Sequence, residues 1–196
     1  MTLAVGQLSD AASGEGRGTV FAVTDRWALT AFHCVGDRET GEIRFRRARC
    51  TWDQGGASNA IVEDGDPFID VALLRLDRAL PRGLDPVQLV RDVAEHSRFD
   101  APGPLAAVPD VRTFWATGEV VRTDSRLTDD APVLQLTCQQ SAADLPLHGL
   151  SGAPVLVGQP QAAAGVVRRN PQRKDRPDLA AGATVYATPA AAVLVF

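Results

Sequence analysis

Three short segments carry side chains able to do chemistry together. Thr30-Ala-Phe-His-Cys34 ends an apolar run on a histidine, and Phe68-Ile-Asp-Val-Ala-Leu-Leu-Arg-Leu76 puts an acid at the mouth of another. Gly149-Leu-Ser-Gly-Ala-Pro154 sets a serine between glycines at a turn entering a strand. His33, Asp70 and Ser151 thus supply a base, an orienting carboxylate and a nucleophile. A serine hydroxyl is a poor nucleophile until an adjacent imidazole takes its proton. The imidazole works best when a buried carboxylate fixes its tautomer and stabilises the imidazolium. Glycines beside the serine let backbone N–H groups aim at a developing oxyanion. Taken singly, His33 reads as a strand histidine, Asp70 as a strand-end cap and Ser151 as a tight turn. Taken together they supply the three groups that acyl transfer would need.

Neighbouring candidates have plainer readings. Cys34 adjoins His33, but adjacent strand residues face opposite sides, so the thiol is expected in the core rather than as a nucleophile. His148 adjoins the glycine turn and reads as an exposed loop histidine within reach of a ligand, while His96 has no partner pattern. No C-x-x-C or H-x-x-x-H spacing supports a metal site, and no cofactor is expected. Arg168 to Arg176 holds five basic residues, relieved by Asp175 and by Asp178 just beyond. Without interleaved aromatics it reads as a solvated loop rather than a nucleic-acid patch.

The elements that must position these residues read as β-structure. Gly18–Val23 and Trp27–Phe32 form a hairpin around Thr24-Asp25-Arg26, and Glu42–Arg49 alternates as a half-exposed strand. Further strands are expected at 60–62, 71–76, 87–90, 114–121, 133–138, 155–157, 163–167 and 184–187. Helix is suggested only within 87–99 and at Pro189–Phe196. The 17 glycines and 13 prolines punctuate many short strands, the mark of an all-β sandwich or barrel. The Pro- and Gly-rich stretch 100–110 reads as a central linker between two lobes, about 15–100 and about 111–188.

With 196 residues, 45% of them hydrophobic, the chain is a folded globular protein and not a disordered one. Its net charge of −4 gives no global pull towards nucleic acid or an anionic membrane. No apolar run approaches the ~18–20 residues that span a bilayer, and the first residues do not resemble a signal peptide. Three cysteines, Cys34, Cys50 and Cys138, are too few and too odd for a disulfide framework, although one bridge plus a free thiol stays open. A reducing, cytoplasmic setting is expected.

From about Gly18 to Ala187 the chain resembles the trypsin-like (chymotrypsin-fold) serine peptidases. Thr30-Ala-Phe-His-Cys34 is similar to the family's T-A-A-H-C, Ile69–Leu76 to its D-I-A-L-L-x-L, and Gly149–Pro154 to its G-D-S-G-G-P. Gly165-Val-Val resembles the strand lining the specificity cleft, and Val185-Tyr-Ala the strand closing it. The resemblance implies two six-stranded antiparallel β-barrels with a short C-terminal helix or tail. It places the catalytic triad His33, Asp70 and Ser151 in the cleft between the barrels, with the Gly149 and Ser151 amides as the oxyanion hole. It implies a hydrolase acting on protein or peptide substrates.

The departures are specific. Leu150 stands where the family has an acid that, in digestive members, pairs with a newly cut N-terminus, and no I-V-G-G-like start is present. The resemblance therefore implies a domain that is either constitutively competent or regulated by a partner or fused signalling domain, as in bacterial trypsin-like domains attached to other modules. By alignment Leu145 falls at the pocket floor with Asp144 beside it, and Thr184 on a wall. Arg168, Arg169 and Asn170 continue the cleft strand. These suggest a small apolar or acidic residue before the scissile bond, or arginines that occlude the cleft. The second reading is a latent or non-catalytic module that binds a peptide or partner protein.

Overall fold

The computed structural model describes residues 2–106, 110–141, 147–169, 171 and 182–196. Twelve strands close into two antiparallel barrels of six. The first holds β1 (Val5–Asp10), β2 (Gly16–Ala22), β3 (Trp27–Thr30), β4 (Arg47–Trp52), β5 (Ala57–Asp66) and β6 (Val71–Leu76), in the order β1-β2-β3-β6-β5-β4. The second holds β7 (Arg98–Gly103), β8 (Phe114–Arg126), β9 (Pro132–Cys138), β10 (Pro154–Val157), β11 (Ala162–Arg169) and β12 (Thr184–Pro189), in the order β10-β11-β12-β9-β8-β7. One short helix, α1 (Ala190–Val193), follows β12. The expected all-β double barrel with a short terminal helix is the observed fold.

Side-chain alternation explains which strands go where. In β4, Ala48, Cys50 and Trp52 point inwards while Arg47, Arg49 and Thr51 face out. The end of β2 has no polar face because both of its faces are covered. Val20 and Ala22 enter the core of the first barrel, and Phe21 enters a separate apolar cluster with Leu29, Val71, Leu156 and Val166. That cluster draws on both barrels and packs one against the other. In β11 the same division holds: Ala164 and Val167 fill the second barrel, Ala163 and Val166 the shared cluster. A continuous apolar run here marks a strand with two buried faces.

Three boundaries differ from expectation. The first barrel begins at Val5, not near 15, because β1 pairs with both β2 and β4. Residues 98–103, placed by their Pro and Gly in the first lobe and linker, form β7 of the second barrel, paired with β8 throughout. The crossing segment is therefore 77–97, where 87–90 gives one isolated bridge, Leu89 with Ala163, and no strand or helix. The segment 42–46 is not strand either. Ile43 and Phe45 pack on the first core from a loop, and β4 starts five residues later than expected.

Candidate active site

β3 ends at Thr30, and a single 3₁₀ turn over Phe32–Cys34 follows. The turn buries Phe32 and Cys34 and leaves the His33 side chain 35% exposed to the cleft. Across from it, Asp66 Oδ1 accepts from the Phe68 and Ile69 amides, and the tight turn delivers Asp70 to the start of β6. Asp70 has φ +60°, a left-handed conformation that aspartate tolerates better than most residues, at a cost of about 1 kcal/mol. Its side chain is 1% exposed.

Asp70 accepts three hydrogen bonds' worth of contacts from His33. The backbone N–H donates to Oδ1 at 2.9 Å, and Nδ1 lies 2.9 Å from Oδ2 and 3.1 Å from Oδ1. With its Nδ1–H committed to the carboxylate, the ring keeps Nε2 as its proton-accepting atom. Burial pushes the imidazole pKa down. The Asp70 hydrogen bond and adjacent Cys34 push it up, outweigh burial, and lift it to about 10.

Ser151 occupies the turn before β10 and shares a cleft of about 1170 Å³ with His33, Asp70 and Gly149. The turn is pinned to β2: the Thr19 amide donates to the Ser151 carbonyl at 2.8 Å, and Thr19 Oγ1 to the Gly149 carbonyl at 2.7 Å. The His148 carbonyl accepts from the Ala106 amide at 2.9 Å. In a planar trans peptide the N–H points opposite to the C=O, so the Gly149 N–H is turned away from Ala106. Among the described residues the Gly149 and Ser151 amides donate to no protein group. No hydrogen bond joins Ser151 Oγ to His33 among them, and in unliganded enzymes such bonds commonly close only with substrate.

The remaining sequence candidates divide. His148 is exposed at the cleft, and Arg169 is exposed there too. Thr184 starts β12 opposite Thr137 of β9 and does not reach the cleft lining. Leu145 and Asn170, with Asp144, lie outside the described residues. Leu150 is 1% exposed in the core of the second barrel. Cys34, Cys50 and Cys138 are all buried and unpaired, and the Cys34 thiol donates weakly to the Ser151 carbonyl at 3.6 Å. Among the described residues no group of three potential metal ligands converges.

Arg168 is the residue whose placement departs most from expectation. A bulge in the β11–β12 ladder between Val167 and Arg169 rotates Arg168 inwards, as bulges beside functional sites do. It is fully buried, with Nε 3.6 Å from Asp70 Oδ2 and Nη2 3.8 Å from Asp129 Oδ2. Arg38 approaches the same two carboxylates at 3.8 and 3.5 Å and donates to the Pro67 carbonyl. Burial, then Arg38, pushes the Arg168 pKa down against the pull of Asp70 and Asp129. Sequence reasoning did not single out Arg38, Asp129, Ala106 or Thr19 for the site. Only Arg38, five residues after His33, carries a local signal; the others arrive through the fold.

No protein-family model and no curated protein sequence matches the chain. A solved structure titled as the Rv3671c protease in its inactive form is similar, with a TM-score of 0.70 and 16% identity. The match covers 98% of this chain and 86% of that one. The fold is therefore the chymotrypsin-like double barrel.

Proposed function

We propose that this protein is a serine endopeptidase of the bacterial trypsin-like type, with His33, Asp70 and Ser151 as its triad. The observation that carries the reading is the His33–Asp70 pair, Nδ1 to carboxylate at 2.9 Å, opening on the same cleft as Ser151 and the undonated Gly149 amide. Ser151 Oγ attacks the scissile carbonyl carbon as His33 Nε2 takes its proton. The carbonyl oxygen gains the electron pair and is held by the Gly149 and Ser151 N–H groups. Collapse expels the amine, which takes the proton from His33, and leaves an acyl-enzyme. Water, deprotonated by the same imidazole, then hydrolyses the ester and restores Ser151.

Leu150 in the core leaves no carboxylate beside Ser151 for an N-terminal amine to pair with. This supports control by a partner or fused domain rather than by N-terminal cleavage. Three buried, unpaired cysteines support a reducing, cytoplasmic setting. A fluorophosphonate probe is expected to label the wild type and not Ser151→Ala; a folded wild type left unlabelled, with or without partners, would overturn the catalytic assignment.

One observation favours a second reading, a latent peptide-binding module. His33 holds its proton up to about 10, and among the described residues no hydrogen bond joins it to Ser151 Oγ. Binding of peptides without turnover at any pH would select it.

A further inference from the structure

The cleft is basic in a protein of net charge −4. Among the described residues five arginines line it, Arg17, Arg38, Arg112, Arg168 and Arg169, against two carboxylates, Asp53 and Asp70. The inner pair is neutralised locally, since Arg38 and Arg168 straddle Asp70 and Asp129. Arg17 pairs with Glu15 at 2.8 Å. The two at the rim are different. Arg112 is exposed and, among the described residues, donates only to the Asp53 carbonyl, at 3.4 Å. Arg169, exposed at the end of β11, has no carboxylate within 4.0 Å among the described residues. The neighbouring Asp53 carboxyl is pushed up by burial, against the pull of Thr113 and Arg112.

We propose that the cleft selects acidic polypeptide segments, with Arg169 and Arg112 reading Asp or Glu side chains near the scissile bond. The proposal rests on the peptidase reading for its consequence, cleavage, but not for its binding step. A guanidinium offers paired donors matched to a carboxylate, so a rim arginine that is not ion-paired at close range is free to donate to an acidic side chain. Positive charge concentrated in a cleft also raises the local concentration of anionic ligands. A polynucleotide is the poorer fit, because among the described residues no exposed Phe, Tyr or Trp lines the cleft and Trp52 is 1% exposed.

The test uses the full chain as Ser151→Ala, so that binding is read without turnover, and labelled peptide pairs differing only in Glu/Asp against Gln/Asn. The acidic member is expected to bind about tenfold tighter at low salt, with the gap narrowing as salt rises. Arg169→Gln should remove most of the gap and Arg112→Gln part of it, with thermal melts establishing that both variants fold. Equal binding within the pairs overturns the proposal, as does a gap that survives both substitutions. So does an oligonucleotide of matched charge binding as tightly. The same pairs given to the wild type separate the two claims. Acid-selective binding without cleavage refutes the peptidase and keeps the selectivity, whereas cleavage of both members alike does the reverse.

Discussion

Asp70 faces three cationic partners but hydrogen-bonds to only one of them. Among the described residues His33 supplies every hydrogen bond, while Arg38 and Arg168 stand off at 3.8 and 3.6 Å. Arg168 meanwhile has Nε, Nη1 and Nη2 buried with no hydrogen-bond partner, a costly arrangement for a guanidinium. Arg168→Met keeps the length and removes the desolvated charge, and is expected to change unfolding free energy by less than about 1 kcal/mol or to raise it. A loss above about 3 kcal/mol in urea titration would mean that the cluster is net stabilising. Removing that charge also strengthens Asp70's hold on the imidazolium, so the variant's pH profile should move upwards. The wild-type profile follows from the same pair. Only neutral His33 can act as base, and its pKa is raised from 6.5 to about 10, so kcat/KM should climb through the alkaline range. A plateau already reached near 6.5 would contradict this. For folding the sign is opposite. The protonated ring favours the native state, a contribution fully present below 6.5 and lost as pH rises through about 10, and His33→Gln should abolish it. His33, Asp70 and Ser151, the proposed triad, could be singled out because each lies near a strand end in its own short segment. Asp129 could not, since nothing local ties a turn acid to a carboxylate 59 residues earlier.

At the scale of elements, the Ser151 turn belongs to the second barrel but is fastened by the first. Thr19 of β2 gives its amide to Ser151 and its hydroxyl to Gly149, while its own carbonyl accepts from Thr30 Oγ1 at 2.7 Å. The seam tolerates no side chain at Gly152, where φ is +89° and a Cβ would lie 2.2 Å from the Thr19 carbonyl oxygen and 3.0 Å from the Ala31 amide. Gly152→Ala must therefore part β2 from the turn and adopt a strained φ, and is expected to cost about 2–4 kcal/mol and to lower labelling of Ser151 in the fraction that still folds. Full stability and full labelling would show that the seam yields freely. Such cross-barrel fastening has no signature in the sequence, where Gly152 reads as a turn glycine. Strand identity was legible where alternation or apolar runs were long, as in β2, β6 and β11. It failed at β7, Arg98-Phe-Asp-Ala-Pro-Gly103, whose Pro and Gly imitate a linker. That strand pairs fully with β8 but with β10 only through Asp100, and so open a ladder accommodates proline.

At the scale of the whole molecule, the proposed chemistry is divided: His33 and Asp70 come from the first barrel, Ser151 and Gly149 from the second. Their alignment depends on the apolar cluster between the barrels, where Phe21 and Leu29 meet Leu156 and Val166, with Val87 of the crossing segment and Val193 of α1 closing the ends. Phe21 is fully buried there and contributes nothing to the interior of its own barrel. Phe21→Ala should cost about 3–5 kcal/mol, the usual loss for emptying a buried phenylalanine site. Because the void opens between the barrels, the loss should fall on their coupling. Trp27 and Trp52 report on the first barrel and Trp115 on the second. In the wild type, tryptophan fluorescence and far-ultraviolet circular dichroism should follow one transition in urea; in Phe21→Ala the two should separate. Ser151 labelling should disappear at the first transition of the variant, before the second barrel unfolds. Labelling that persists until the second transition would mean that one barrel holds a working site alone, against a triad split between two.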